Sequence, residues 1–153
     1  MLHFEGDKTL VSDPKTCWAK LSDPRFLVQF IPNLESMTQP RPDQVQFKVR
    51  PGVSFVRGTL DITIKVEEVE PGKSARYSVH SRAIGSSSDA EAILMIEPTP
   101  GGTHLRWTVN IKTLNGLLKA VPQGLIKASA QKVITDIWSA VELKLNLNNQ
   151  HQS

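Results

Sequence analysis

The chain has 153 residues, of which 39% are hydrophobic and 22% charged, and its formal net charge at pH 7 is +3. These values are typical of a soluble globular protein and predict one domain, residues 1–153, with a substantial core. Acidic and basic residues are interspersed without a run of five or more like charges. We therefore expect no nucleic acid among its partners.

The chain's one cysteine, Cys17, cannot form an intramolecular disulfide, which fits a reducing compartment. The first residues lack the charged and apolar segments of a signal peptide. No apolar run reaches the roughly 18 residues needed to span a bilayer. We expect a cytoplasmic protein without an integral membrane segment.

Two short helices are predicted after a first strand at residues 2–12. Ser12-Asp13-Pro14 is a helix start, because serine and aspartate cap a first turn and proline fits its first position. Ser22-Asp23-Pro24 repeats the signal, and Pro32 ends the second helix by restraining the residue before it. The second helix presents an apolar stripe of Phe26, Leu27, Phe30 and Ile31, which we expect to act as a lid over a cavity.

Six further strands are predicted in the middle of the chain, at 34–39, 44–50, 56–68, 75–81, 90–96 and 105–111. Apolar and polar residues alternate there, most clearly around Ile62 and Ile64, as expected for a sheet with one wet face. Turns are predicted at 70–73 and 98–102. Residues 85–89 are predicted to form a loose connection.

A long helix is predicted near the end of the chain. Apolar residues recur there at three- and four-residue steps, at Ile126, Ala130, Val133, Ile134, Ile137, Trp138, Val141 and Leu145. Pro122 marks either the start of this helix or a kink after a shorter turn at 117–121.

This order predicts an α+β fold in which a curved seven-stranded antiparallel sheet wraps the long helix. Small residues on the inner face (Gly58, Ser81, Ala90 and Ala92) leave space between sheet and helix. Alternatively, they let the helix approach the sheet closely. We expect a cavity, because aromatic side chains cluster at its predicted mouth.

Several short motifs follow one another in order over residues 2–145. They are Phe4-Glu5-Gly6, Trp18, Leu21-Ser22-Asp23-Pro24, Phe30-Ile31-Pro32-Asn33, Val56-Arg57-Gly58, Gly102-Thr103-His104-Leu105 and Gly116. Together with the order of elements, they resemble the START-like helix-grip superfamily known as SRPBCC, which includes polyketide cyclases. Within it, the chain resembles the CoxG family of carbon monoxide dehydrogenase subunits.

The resemblance implies a cavity for an apolar small molecule or lipid, of quinone type in CoxG-like proteins. It also implies a role accessory to a molybdenum-containing carbon monoxide dehydrogenase, with that enzyme as partner and with peripheral membrane contact. Two features depart from the family. Asn33 stands where glycine is common, and the chain ends eight residues after Leu145, where many members continue to a membrane-binding tail. We therefore do not expect attachment through such a tail.

Catalytic machinery is not evident in the sequence. His80 and His104 lie on the outward parity of their strands, and no histidine pair has metal-ligand spacing on a helix. Asp61, Asp89 and Glu91 also have outward parity, which leaves no interior general base. Cys17 is expected to be a small buried hydrophobe. We expect no catalytic residue, metal or cofactor, and we favour binding over catalysis.

The predicted ligand-binding residues are inward-facing or lie on the lid: Phe26, Phe30, Phe47, Phe55, Leu60, Ile62, Tyr77, Val79, Ser81, Ala92, Trp107, Val109, Ile134 and Trp138. Tyr77 either donates a hydrogen bond to the ligand or satisfies its hydroxyl within the protein. Two alternatives stay open: a cyclase, aromatase or hydrolase on the same fold, and a docking module without ligand. Outward Ile93 and Met95 would serve docking to an enzyme or a homodimer.

Overall fold

The computed structural model describes residues 2–31, 33–38, 41–50 and 58–151. The strands are β1 (Leu2–Leu10), β2 (Leu34–Met37), β3 (Gln44–Val49), β4 (Leu60–Glu70), β5 (Ser74–Ala83), β6 (Ser86–Thr99) and β7 (Gly102–Gly116). The helices are α1 (Pro14–Leu21), α2 (Pro24–Leu27) and α3 (Gln123–His151), and 3-10 turns lie at Val28–Phe30 and Leu117–Ala120. The strands form a seven-stranded antiparallel sheet in the order β1-β7-β6-β5-β4-β3-β2. The predicted α+β architecture is confirmed.

Both short helices begin as predicted, with aspartate before proline. The Asp23 carboxylate accepts a hydrogen bond from the backbone N–H of Arg25 at 2.9 Å, which satisfies one of the free donors of the first turn of α2. The Asp13 carboxylate accepts the hydroxyl of Thr16 at 2.5 Å. At the far end Ile31 is extended, with φ −72° and ψ 122°, as a residue before proline should be.

Several predicted boundaries in the sheet are wrong: β1 ends at Leu10 and not at 12, and the turn predicted at 98–102 shortens to 100–101, because β6 runs to Thr99 and β7 begins at Gly102. The strand expected over 56–68 begins at Leu60, because Gly58 has φ +72° and leaves the extended region; residues 56 and 57 lie outside the described part of the chain. The loose connection expected at 85–89 is strand, and β6 begins at Ser86. Gly85, with φ +75°, allows a turn of two residues, so Ser86 pairs with Ala83 on one side and Gly116 on the other.

The long helix begins directly after Pro122, and the shorter turn predicted at 117–121 precedes it. A 3-10 turn at Leu117–Ala120 precedes Pro122, and α3 then runs to His151. Its C-terminal half is anchored in the core, where Val141 and Leu145 are fully buried. The hydroxyl of Ser12 donates to the carbonyl oxygen of Leu145 at 3.2 Å, and the hydroxyl of Thr103 donates to the carbonyl oxygen of Ser12 at 2.6 Å. These bonds join the end of β1, the start of β7 and α3.

The core has two clusters. The main cluster lies beneath α1, α2 and the second half of α3 and contains Leu10, Cys17, Leu21, Phe26, Ala75, Tyr77, Leu94, Ile96, Leu105, Val141 and Leu145. The second consists of Val28, Val45, Phe47 and Val49. Cys17 is fully buried and burial raises the pKa of its thiol, so it behaves as the predicted small hydrophobe.

Gly6 makes room for the contact between sheet and helix. It is the register partner of Trp107, and a Cβ atom built on it would lie 2.6 Å from Cζ2 of that indole. The bare backbone of β1 therefore accepts the flat ring. Trp107 in turn stacks on Trp138 of α3, with ring centroids 4.7 Å apart and an interplanar angle of 17°.

We predict that Gly6→Ala lowers the free energy of unfolding by about 1–3 kcal/mol, because the new methyl group overpacks the site and displaces Trp107. Urea unfolding gives the free energy, and near-ultraviolet circular dichroism reports the indole stack. Gly124→Ala is the matched control: nothing lies within 4 Å of its added Cβ. That variant should be about 0.5–1 kcal/mol more stable, since it removes a helical glycine. Equal effects of the two substitutions would contradict this account.

Candidate functional site

The half-buried apolar residues on the concave face of the sheet and on the facing side of α3 form the candidate binding surface, which we call the groove. Its sheet wall consists of Val79, Ser81, Ala90, Ala92, Trp107, Val109 and Ile111, which share one face through the register of β5, β6 and β7. Its helix wall consists of Ile134 and Trp138. All of these residues are half-buried, although most of them are apolar. The cavity expected between sheet and helix stays a prediction, and this half-buried wall is its candidate lining.

Burial of the inward-facing residues falls along the central strands, and we call the buried part the closed end and the half-buried part the open part of the groove. Ala75 and Tyr77 on β5, Leu94 and Ile96 on β6 and Leu105 on β7 are buried under the short helices. Farther along the same strands and the same face, Val79, Ala90 and Val109 are only half-buried and belong to neither core cluster. Along β7, Trp107, which stacks on Trp138, lies between the buried Leu105 and the half-buried Val109.

The hydroxyl of Tyr77 is used within the protein, at the buried end of the sheet. Its hydroxyl donates a hydrogen bond to the backbone carbonyl oxygen of Leu21, at the end of α1. Burial raises the pKa of its phenol, since desolvation disfavours the phenolate. These observations favour the alternative in which the Tyr77 hydroxyl serves the protein and not a ligand.

The remaining predicted residues fall into two further groups. Phe47, Leu60 and Ile62 pack in the second cluster, and Ile62 joins the groove as the register partner of Ser81. On the predicted lid, the rings of Phe26 and Phe30 meet edge to face with centroids 5.0 Å apart. Phe26 is buried and Phe30 half-buried, and the 3-10 turn that carries Phe30 contacts α3. Phe55 lies outside the described residues.

Charged groups of the central strands lie on the convex face, as strand parity predicts. Nδ1 of His80 lies 2.7 Å from Oδ1 of Asp89, whose other oxygen accepts the hydroxyl of Thr113 at 3.0 Å. Nζ of Lys112 donates to Glu91 at 2.8 Å. Hydrogen bonds from His80 and from Lys112 hold the pKa values of Asp89 and Glu91, respectively, below their usual range. These carboxylates therefore stay ionised and face away from the groove.

A bulge in β7 explains why Lys112 and Thr113 both reach that face. Pairing with β6 passes from Asp89–Thr113 to Ala90–Ile111, so Lys112 is the extra residue. Ile111 can then face the groove while its two successors bind the acids outside.

Three depressions accompany this arrangement. Two, of about 270 and 370 Å³, lie on the convex face and are lined mainly by polar and charged side chains, including Lys65, Ser78, Glu67 and Asp89. The third, of about 230 Å³, lies where β1 and β7 meet the segment before α3, with Leu2, Ile111, Leu114, Leu118 and Val121 in its wall. It adjoins the open part of the groove through Ile111.

We also searched the described residues for metal sites and membrane-spanning helices. No group of three or more histidine, cysteine or carboxylate side chains there is placed to hold a metal ion. Within the same ranges, no helix is long and apolar enough to cross a membrane. On the convex face Met95 is exposed, whereas Ile93 is half-buried.

Solved structures with the same fold define the class of protein. A conserved protein from Geobacillus kaustophilus superposes with a TM-score of 0.82 at 22% identity, covering 94% of this chain and 95% of that one. A START superfamily protein from Mycobacterium smegmatis gives 0.67 at 14% identity, covering 95% and 97%. The protein XoxI from Bacillus cereus gives 0.67 at 13% identity, covering 95% and 96%. The chain therefore has the START-like helix-grip fold.

The amino-acid sequence assigns the chain to one family with this fold. The family model for CoxG, a carbon monoxide dehydrogenase subunit, matches residues 6–146. The chain belongs to the CoxG family. No curated protein matches it significantly.

We predict that Tyr77 stays protonated in the folded protein at pH values where a free tyrosine, with a pKa of about 10, ionises. Tyr77 is the one tyrosine in the chain, so tyrosinate absorbance reports it alone. Because the folded-state pKa is raised, the stability contributed by the neutral phenol is present below about pH 10 and is lost as the pH rises further.

Tyr77→Phe is the control for this titration. It should remove the tyrosinate signal and the loss of stability that belongs to this group, together with the hydrogen bond to Leu21. Half-titration of Tyr77 near pH 10 in protein that is still folded would contradict its assignment to the closed core.

Proposed function

We propose that this chain, as one helix-grip domain, binds an apolar small molecule or lipid in the groove and carries it as an accessory to a carbon monoxide dehydrogenase-type system. The observation that carries the proposal is the half-buried apolar wall of β5–β7, which α3 faces without covering. A well-packed fold without a ligand would bury Val79, Val109 and Ile134.

Burial of ligand surface would drive binding. At about 25 cal/mol per Å², covering roughly 400 Å² of apolar surface contributes about 10 kcal/mol before the costs of association and ordering. With association costs of about 4 kcal/mol, about 6 kcal/mol would remain, which corresponds to a Kd in the tens of micromolar. Such affinity suits a carrier that must also release its cargo.

The groove residues favour a neutral ligand. None of the side chains in its two walls is charged, and an unpaired carboxylate placed there would lose its hydration without compensation. Ser81 and its register partner Ser88 supply hydroxyls near the open end. A quinone-like molecule or a neutral lipid, with one or two carbonyl or hydroxyl oxygens, fits these groups better than a fatty acid does.

Family membership supports the wider context of the proposal. The name of the CoxG family links it to carbon monoxide dehydrogenase, and we propose such an enzyme as the partner in the cytoplasm. The enzyme alternative would need His80, Asp89 or Glu91 inside the groove, but all three lie on the convex face. The arrangement therefore supports binding in preference to catalysis.

The proposal is tested first by native mass spectrometry of freshly purified protein, followed by extraction and identification of what is bound. We expect one neutral apolar molecule per chain, or its uptake when a quinone is added to protein that was purified without one. If no apolar molecule co-purifies and neither a quinone nor a neutral lipid binds, the carrier function is wrong.

Filling the groove should abolish that binding. We predict that Ser81→Leu lowers ligand occupancy at least about tenfold, equivalent to about 1.4 kcal/mol, because the larger side chain enters the space beside Ile62 and Ser88. Ser78→Leu is the matched control, since it makes the same change on the same strand at an exposed position on the opposite face. Equal occupancy in the two variants, measured by fluorescence titration, would place the ligand elsewhere.

A further inference from the structure

Each of the central strands carries a large inward-facing side chain where the open part of the groove meets the closed end. These side chains are Tyr77 on β5, Leu94 on β6 and Trp107 on β7, and Leu94 pairs with Trp107 in the sheet register. Toward the open part, the next inward-facing residues of β5 and β6 are the smaller Val79 and Ala92. A ligand that lies along the strands would therefore end against the three large side chains.

Tyr77 has small neighbours on this face of the sheet. Ala75 precedes it by two residues on β5, and Ala92 is its register partner on β6. Ala75 is fully buried and belongs with Tyr77 to the main core cluster. Without the Tyr77 ring, three small side chains would lie side by side, and the cavity left by the ring would extend the groove into the closed end.

Burial and a hydrogen bond hold the Tyr77 ring in place. Tyr77 is only 9% exposed, and its hydroxyl donates to the backbone carbonyl oxygen of Leu21, a residue that is itself fully buried. Turning the ring aside to admit a longer ligand would leave the hydroxyl in an apolar core without that partner, which is unfavourable. The ring is therefore a fixed boundary of the groove.

Strand geometry gives the length that remains for a ligand. Tyr77 and Ser81 are four residues apart on β5, which corresponds to roughly 14 Å at about 3.4 Å per residue. Ser81 and its register partner Ser88 supply hydroxyls at the far end of this stretch. A ligand with its polar atom at these serines can therefore extend for roughly this distance before it reaches the ring.

We propose that Tyr77 sets the maximum length of the ligand, so that the groove accepts a compact neutral molecule, either a small ring system or a short alkyl chain. This inference rests on the proposed function, because it names the class of molecule that the same groove binds. A long alkyl chain would meet the ring and would have to leave through the open part, where the groove buries none of its further length. Affinity therefore increases with ligand length up to a limit that Tyr77 determines.

The test measures the affinity of a series of primary alcohols, from hexanol to tetradecanol, by displacement of the neutral fluorescent probe phenylnaphthylamine. For wild-type protein, each added methylene group should raise the affinity about fourfold until the chain reaches Tyr77. Alcohols beyond this limiting length should bind no more tightly.

Removing the ring should move the limit to longer chains. Tyr77→Ala, or Tyr77→Leu if circular dichroism shows that the alanine variant does not fold, should bind tetradecanol at least about tenfold more tightly than wild type. Its affinity for hexanol should be unchanged. Val79→Phe should have the opposite effect and shorten the limiting length, because it adds a ring nearer the open part at a half-buried position outside the core clusters.

Tyr77→Phe is the matched control, because it keeps the ring and removes only the hydroxyl. Its limiting length should equal that of wild type; a shift as large as that of Tyr77→Ala would overturn the proposal, since the lost hydrogen bond would then be the cause. The proposal is also overturned if wild-type affinity rises through tetradecanol, or if the Tyr77 and Val79 variants keep the wild-type limit. In these cases alcohol binding would still support the carrier function, whereas failure of every alcohol to displace the probe would contradict both proposals.

Discussion

The attachment of α3 at one end is the constraint on which the rest of the structure depends. Val141 and Leu145 are buried in the main core, and the carbonyl oxygen of Leu145 accepts the hydroxyl of Ser12. Trp138 closes this anchored region by stacking on Trp107. Beyond that stack, Ile134 on the helix and Val79, Ala90 and Val109 on the sheet are only half-buried, although Ile126 near the start of the helix is buried again.

This arrangement depends on a residue without a side chain at Gly6 and on positive φ angles at Gly85 and Asn33. Gly6 lets the indole of Trp107 lie against β1, and Gly85 makes the two-residue turn between β5 and β6. Asn33 has φ +59°, in the left-handed region where glycine is favoured and asparagine is the best-tolerated alternative. The turn before β2 therefore has a left-handed residue without using glycine.

The two faces of the sheet differ in the charge of their side chains. Convex-face carboxylates such as Asp89 and Glu91 are paired with His80 and Lys112, and their lowered pKa values keep them ionised. The concave face offers aliphatic, aromatic and serine side chains. Tyr77, an inward-facing group with a raised pKa, has its hydroxyl bound to the backbone of Leu21, so the concave face would select a ligand by shape and polarity.

The sequence by itself determined the order of elements, the inward and outward faces of the strands and the two proline-marked helix starts. Local rules suffice there, because period-two alternation and capping depend on neighbouring residues. The start of β6 at Ser86 escaped prediction, since a serine run resembles a loop until strands on both sides supply its hydrogen bonds. Only the tertiary structure decided that Tyr77 donates its hydroxyl to Leu21, that Gly6 underlies Trp107 and that the backbone N–H of Leu117 donates to Gly85. Each of these depends on contacts between residues far apart in the chain, which no local pattern encodes.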